Sequence, residues 1–330
     1  MNLQLTITSV IDSIIKYSKQ PLDCTIQRRQ ARLAKKYDKM VVFGDSFSDT
    51  GNAYSMDSSQ FSSMNFEGHF CDGKVWTEYL AELLDVELVN YAIGGATSDQ
   101  TFTGQQSNVP GLKQQVQNYI SNRPRYENCD RTLFVLWTMG QDYILSNYTA
   151  SPKSILTNIA SCVSLLINHL GATHILIPGI PDLSQLPLHK NDSDTQISLI
   201  KNVCKSHNHA LKNFIDLLKK IYYHINVHGY DTADELEMLK EEALNQDWEK
   251  VEEKLIELPK KPSLRRKFEI KNVRDEFINP YDGSISGDLE GEYFTPEKYF
   301  YWDLMHWSTK VHEVVADDLF EIVRYQDRRA

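Results

Sequence analysis

The chain has 330 residues, 41% of them hydrophobic and 24% charged, which is ordinary globular composition and enough length for one large α/β domain with a sizeable core. Its formal net charge of −10 offers no basic stripe to neutralise phosphates, which argues against nucleic acid as the main partner and against electrostatic adsorption to anionic lipid. Five cysteines, Cys24, Cys71, Cys129, Cys162 and Cys204, contain no Cys-x-x-Cys spacing, so free and mostly buried thiols are expected rather than a disulfide framework or a zinc site.

The first segment, Met1 to Lys19, lacks a basic start, and Asp12 interrupts its apolar run, so it does not read as a secretory signal. Val10, Ile11, Ile14, Ile15 and Tyr17 give it the spacing of a short amphipathic helix. Residues 1–37 read as an N-terminal helical extension ending in a basic run from Arg28 to Lys36, a solvated arm rather than a targeting signal. No stretch approaches 18 consecutive apolar residues, so no transmembrane helix is expected, and any membrane-surface contact would be transient and made by local apolar groups. The expectation is a cytoplasmic protein, or one exported without a cleaved signal.

From residue 38 onward apolar strand-like runs alternate with helical stretches. Strands are predicted at 40–43, 87–91, 132–137, 174–178 and 222–227, with helices at 74–84, 111–121, 153–170 and 198–220. That alternation implies a mainly parallel sheet covered on both faces. Residues 230–262 are helical and highly charged, with an apolar face of Leu236, Leu239, Leu244, Trp248, Val251, Leu255 and Leu258. Pro259 and Pro262 break the pattern beside a basic cluster at Lys260, Lys261, Arg265, Arg266 and Lys267. The stretch 228–292 reads as an insertion or cap on a domain spanning 38–330. Its charge run is a solvated helix face in the simpler reading and a surface for an unknown protein partner in the other.

The chemistry is concentrated at two sites. Met40 to Phe43 reads as a buried strand, Gly44 ends it, and Asp45-Ser46 follows at the position where open α/β sheets place their crevices. Near the far end, Tyr301-Trp302-Asp303-Leu304-Met305-His306 sets an acid three residues before a histidine. Taken singly, the first pattern is a capped turn and the second one turn of a surface helix. Taken together, they supply a nucleophile in Ser46, a base in His306 and an acid in Asp303 to hold that base in one tautomer.

These two segments resemble the GDSL family of serine esterases and lipases, the SGNH hydrolases. The resemblance continues through Gly68 to Leu80, Asn90 to Ser98, Val109 to Val116, Pro178 to Leu183 and Ser206 to Leu211, covering about residues 38–225 and 292–325. It is nearest to the bacterial phospholipase and lysophospholipase type, which includes thermolabile haemolysins and glycerophospholipid acyltransferases. It implies a three-layer α/β/α sandwich, the SGNH hydrolase fold. It also implies cleavage of lipid-like carboxylic esters through an acyl-enzyme on Ser46, with acyl transfer to an alcohol as a second outcome and no metal or organic cofactor.

The resemblance further implies an oxyanion hole built from the backbone N–H groups of Ser46 and Gly95 and a side-chain carboxamide. Here the sequence departs from the family. Gln141 stands where an asparagine is usual, Met139 where a glycine is usual, and Trp307 where a proline often follows the histidine. The longer glutamine either reaches the oxyanion from a backbone set slightly back or overshoots it.

Asp45, Asp49, Asn52 and Asp182 read as residues that cap and brace turns. The aromatic group Tyr293, Phe294, Tyr299, Phe300, Tyr301 and Trp302 reads as core, with an acyl pocket as the alternative. No phosphate loop or dinucleotide fingerprint is present. The first functional reading is therefore a serine ester hydrolase. A catalytically weak or inactive scaffold that binds a protein through 228–292 is the second.

Overall fold

The computed structural model describes residues 35–58, 66–102, 108–124, 128–244, 269–272 and 299–325. The expected N-terminal helix, the basic run before Lys35, the cluster at 260–267, Tyr293, Phe294 and Cys24 lie outside them. The chain divides into two units, Met1–Lys36 and Tyr37–Ala330, and the second carries the fold.

Five parallel strands form the main sheet: β1 (Lys39–Gly44), β2 (Glu87–Asn90), β3 (Thr132–Trp137), β4 (His174–Pro178) and β5 (Asn226–Tyr230), in the order β2-β1-β3-β4-β5. Side chains alternate between faces along a strand, yet β3 is buried at every position and β1 at every position but its first. Both faces are therefore covered, as a continuous apolar run in a parallel sheet requires.

The helices are α1 (Asn52–Met56), α2 (Trp76–Leu84), α3 (Leu112–Asn122), α4 (Gln141–Leu145), α5 (Pro152–Leu170), α6 (Asp194–Ile221), α7 (Thr232–Leu244) and α8 (Thr309–Tyr325). Helix α2 packs on α8, while α3, α5 and α6 pack in series, giving two separate helical groups. Crossover handedness accounts for this. The connection from β1 to β2 runs one way along the sheet and those to β3, β4 and β5 run the other, so right-handed crossovers leave their helices on opposite faces. The result is the three-layer α/β/α sandwich that the resemblance implies. A short parallel pair, β6 (Glu269–Asn272) with β7 (Tyr299–Tyr301), stands apart from the main sheet.

Local sequence explains the element ends. Helix α5 starts with Pro152 in its first turn and stops at Gly171 in the left-handed conformation. Helix α6 is capped by Ser193, whose hydroxyl accepts from the Gln196 N–H. It buries Ile200, Cys204, His207, Leu211, Ile215 and Leu218 along one stripe.

The strand expected at 222–227 lies instead at Asn226–Tyr230. Tyr222 still bonds back to the Leu218 carbonyl as the cap of α6, and Tyr223 is 89% exposed, so the chain reaches the sheet only after Ile225. Strand β5 thus overlaps the first residues of the 228–292 stretch. Among the described residues no helix is long and apolar enough to cross a membrane. The four described cysteines, Cys71, Cys129, Cys162 and Cys204, are buried.

Candidate active site

Strands β1 and β3 pair in register up to Gly44 opposite Trp137, so both release their chains at the same level. The winding changes direction between them, which is where a doubly wound sheet opens a crevice. Gly44 is dictated by close approach: a Cβ there would lie 2.5 Å from the Trp137 carbonyl oxygen. Its backbone is gripped by the buried Gln115 amide, which accepts from the Gly44 N–H at 2.9 Å and donates to the Gly44 carbonyl at 2.9 Å. The next four residues make a turn closed by the Ser48 N–H on the Asp45 carbonyl at 3.0 Å. Ser46 sits inside that turn, only 6% exposed. The Trp76 indole N–H donates to Ser48 Oγ at 3.1 Å and fixes the end of the turn.

His306 lies on a loop closed across its base by the Trp302 N–H on the His306 carbonyl at 2.7 Å and the Ser308 N–H on the Phe300 carbonyl at 3.0 Å. Asp303 shapes the loop from within. Its Oδ1 accepts from the backbone N–H groups of Met305 at 2.8 Å and His306 at 2.7 Å. Both carboxylate oxygens also face His306 Nδ1, at 2.9 and 2.8 Å. A carboxylate only accepts, so Nδ1 carries the proton and Nε2 of the neutral ring presents a lone pair. That lone pair lies 2.8 Å from Ser46 Oγ, across 260 positions of sequence. Burial alone would raise the Asp303 pKa. The His306 imidazole, by charge and hydrogen bond, and the two backbone N–H groups outweigh burial and hold it at about 2.

The histidine rests among aromatic rings. Phe47 lies 5.0 Å and Phe70 5.2 Å from its centroid, and Phe47 in turn packs on Trp307 at 4.9 Å. Trp307, in the place of the family's proline, is fully buried and packs also against Trp137 and His312.

Three buried carboxylates tie the neighbouring loops to this centre. Asp45 accepts from the Phe47 N–H at 3.2 Å and, through its other oxygen, from the Met139 N–H at 2.7 Å. Asp49 caps α1 through the N–H groups of Gly51, Asn52 and Ala53 and accepts from the Gly94 N–H at 2.7 Å. Asp142 accepts from the Ser98 N–H at 2.9 Å and the Ser98 hydroxyl at 2.6 Å. Burial pushes Asp45 up to about 7 and Asp142 to about 6, and it raises Asp49, against the pull of those N–H donors. Together the three carboxylates join the Ser46 turn, the loop from Gly94 to Ser98 and the 139–142 loop into one braced unit.

The structure thus brings Ser46, His306 and Asp303 into one hydrogen-bonded chain. Gly95 adopts φ +81° with open space where a Cβ would point. Gln141 opens α4 immediately after Gly140, whose φ of +110° is left-handed. Asp45, Asp49, Asn52 and Asp182 brace turns, with Asn52 donating to the Asn90 and Ala92 carbonyls and Asp182 accepting from Ser184. Phe300, Tyr301 and Trp302 are buried, so their place is in the core. Sequence reasoning gave no role to Gln115, Phe47, Phe70 or Trp76. Their contacts span tens to hundreds of positions and follow no local period.

A family model described as GDSL-like Lipase/Acylhydrolase matches residues 40–319. The chain belongs to this family. Among relatives of the GDSL-like chain, the thermolabile hemolysin of Vibrio parahaemolyticus is 26% identical over 288 residues, covering 86% of this chain and 63% of that protein. A phosphatidylcholine-sterol acyltransferase of Aeromonas hydrophila is 28% identical over 198 residues, covering 57% of each. Lipase 1 of Photorhabdus luminescens is 30% identical over 169 residues, covering 47% of this chain and 24% of that one. The chain spans less than two thirds of the length of each of these curated relatives. A solved acetylxylan esterase of Geobacillus stearothermophilus, in a catalytic mutant form, is 14% identical with a TM-score of 0.41, covering 89% of this chain and 97% of that one.

Proposed function

We propose that this GDSL-family protein cleaves carboxylic esters of lipid-like substrates, lysophospholipids, phospholipids or short acylglycerols, through an acyl-enzyme on Ser46. One observation carries the reading: the unbroken hydrogen-bonded chain from Asp303 through His306 to Ser46 Oγ at the sheet's switch point. His306 Nε2 takes the hydroxyl proton as Oγ attacks the ester carbon. The backbone N–H groups of Ser46 and Gly95 meet the negative charge that develops on the carbonyl oxygen, and the Gln141 carboxamide serves as a third donor. Asp303, ionised at neutral pH, stabilises the imidazolium and keeps the proton on Nδ1. His306 then protonates the leaving alcohol. Water, deprotonated by the same nitrogen, releases the acid. An alcohol in the place of water gives a new ester instead. The named activities of the relatives, a hemolysin, a lipase and an acyltransferase, favour lipid esters over other acyl compounds.

The test is acid release from lysophosphatidylcholine and from p-nitrophenyl butyrate by wild type and Ser46→Ala. Removal of a nucleophile of this kind costs about 10⁴-fold or more in turnover. Equal rates in the two proteins would remove Ser46 from the chemistry and leave the non-catalytic scaffold as the better reading.

A further inference from the structure

Phe70 occupies a place the mechanism does not use. Its ring lies 5.2 Å from the His306 imidazole with the planes 31° apart. On its other side the ring edge rests on Gly94: a Cβ built there would come within 2.2 Å of Phe70 Cε2 and 2.3 Å of Cζ. Gly94 is itself anchored by Asp49 and precedes Gly95. The half-buried phenyl therefore closes the gap between the base and the glycine loop while keeping one part towards solvent.

Its backbone is held in a tight loop. The Phe66 N–H donates to the Cys71 carbonyl at 3.0 Å, and the His69 N–H to the Phe66 carbonyl at 2.7 Å. The His69 ring contacts the Phe66 carbonyl at 2.6 Å and Glu78 Oε2 at 3.0 Å. These bonds hold the backbone on either side of Phe70, and its ring is placed by His306 and Gly94.

We propose that Phe70 is the specificity-determining wall of the alcohol side of the site, favouring leaving alcohols and acceptors with an apolar face over water. The proposal rests on the ester-cleaving role of Ser46 and His306. The oxygen that His306 protonates on departure must come within about 3 Å of Nε2. The carbon bonded to it then falls in ordinary contact range, about 3.5–4 Å, of a ring packed on that imidazole. The acceptor of the second half-reaction enters by the same route in reverse. Its oxygen attacks the acyl carbon, its proton passes to Nε2, the bond from that carbon to Oγ breaks, and the proton returns to Oγ. An aliphatic acceptor buries its methylenes against the phenyl face, whereas water gains nothing there. Each methylene buried corresponds to roughly fourfold in partition.

The experiment acylates the enzyme with p-nitrophenyl butyrate in the presence of ethanol, 1-propanol or 1-butanol and measures the ratio of alkyl butyrate to butyric acid. The ratio is read on a single acyl-enzyme, so any general damage to His306 cancels from it. In wild type the ratio per molar alcohol should rise about fourfold with each added carbon. In Phe70→Ala the rise should flatten, and the 1-butanol ratio should fall by about five- to tenfold. Phe70→Leu, which retains apolar bulk if the alanine variant folds poorly, should lie between. The relative rates on butyrate and octanoate esters should stay within about twofold, because the acyl chain lies on the other side of the carbonyl. An unchanged alcohol dependence, a shift in acyl preference instead, or no alkyl ester from wild type would each overturn the proposal. Loss of Ser46-dependent p-nitrophenol release would sink the underlying reading and this one with it. Normal release with a flat partition would sink this one alone.

Discussion

Asp45 Oδ2 accepts a hydrogen bond from the Met139 N–H at 2.7 Å, so the residue before the proposed nucleophile holds the loop that leads into Gln141. The other oxygen holds the Phe47 N–H on the far side of Ser46. One buried carboxylate thereby sets both the nucleophile turn and the third proposed oxyanion donor. Asp45→Asn would leave an NH₂ group facing one of those two N–H donors, at a cost of about 1–3 kcal/mol. Turnover should fall by about 10–100-fold as the loop shifts.

The same substitution predicts a pH effect on stability. The folded-state pKa of Asp45 is about 7 against 3.8 for the free side chain, so between those values the folded protein keeps a proton that the unfolded chain has lost. Its contribution is full at low pH and is lost as pH rises through about 7. Asparagine does not titrate, so the melting-temperature advantage of wild type over Asp45→Asn should shrink between pH 4 and pH 8. A constant gap would mean that the carboxyl is ionised throughout.

Asp303 runs in the opposite direction. Held at about 2 against 3.8, it stabilises the fold above about pH 4 and loses that contribution as pH falls towards 2. The difference amounts to about 2 kcal/mol. Asp303→Asn retains an oxygen to cap the Met305 and His306 N–H groups, but its NH₂ would donate to Nδ1 and move the ring proton to Nε2. Denaturant titrations should show the stability gap closing below pH 4, with turnover at neutral pH down about 10³–10⁴-fold. Unaltered turnover would make Asp303 a loop residue only.

His306→Ala removes the proton acceptor and should lower p-nitrophenyl ester turnover by several orders of magnitude. Thermal melts should show the variant folded, because the loop remains closed by the Trp302–His306 and Ser308–Phe300 backbone bonds. Turnover at the wild-type rate would assign the base elsewhere.

Gln141 tests the departure that bears on the third oxyanion donor. The loop is held at Met139 by Asp45 and Gly140 is left-handed directly before Gln141, so the backbone fixes where the side chain starts and a shorter one reaches less far. Gln141→Asn should therefore lower turnover, and Gln141→Ala should lower it further, by roughly 10²–10³ for a lost donor. A rise in the asparagine variant would mean that glutamine overshoots. Equal rates in all three proteins would remove residue 141 from the oxyanion hole.

The strands and long helices were legible because their apolar periods are strong and the sheet is buried on both faces. Strand β5 was displaced because Tyr222, Tyr223, Ile225 and Val227 read as one apolar run, although the first of them caps α6. Ser46, Asp303 and His306 were legible because two come within three residues of each other and the third follows a strand and a glycine. The bracing of the site was not. Asp45 was read as a local turn residue, and its bond to Met139 becomes visible only when β1 and β3 are laid side by side. Gln115 and Phe70 carry no chemical signal at all. An amide and a phenyl acquire their roles from what the fold places against them.

The central claim is that Ser46 is the nucleophile, and a fluorophosphonate probe reads this most directly. After reaction, intact-mass measurement and peptide mapping should find a single adduct, on Ser46, in wild type. The adduct should be absent from Ser46→Ala and form far more slowly in His306→Ala. An adduct on another residue, or a wild-type protein that stays unlabelled while folded, would contradict the account.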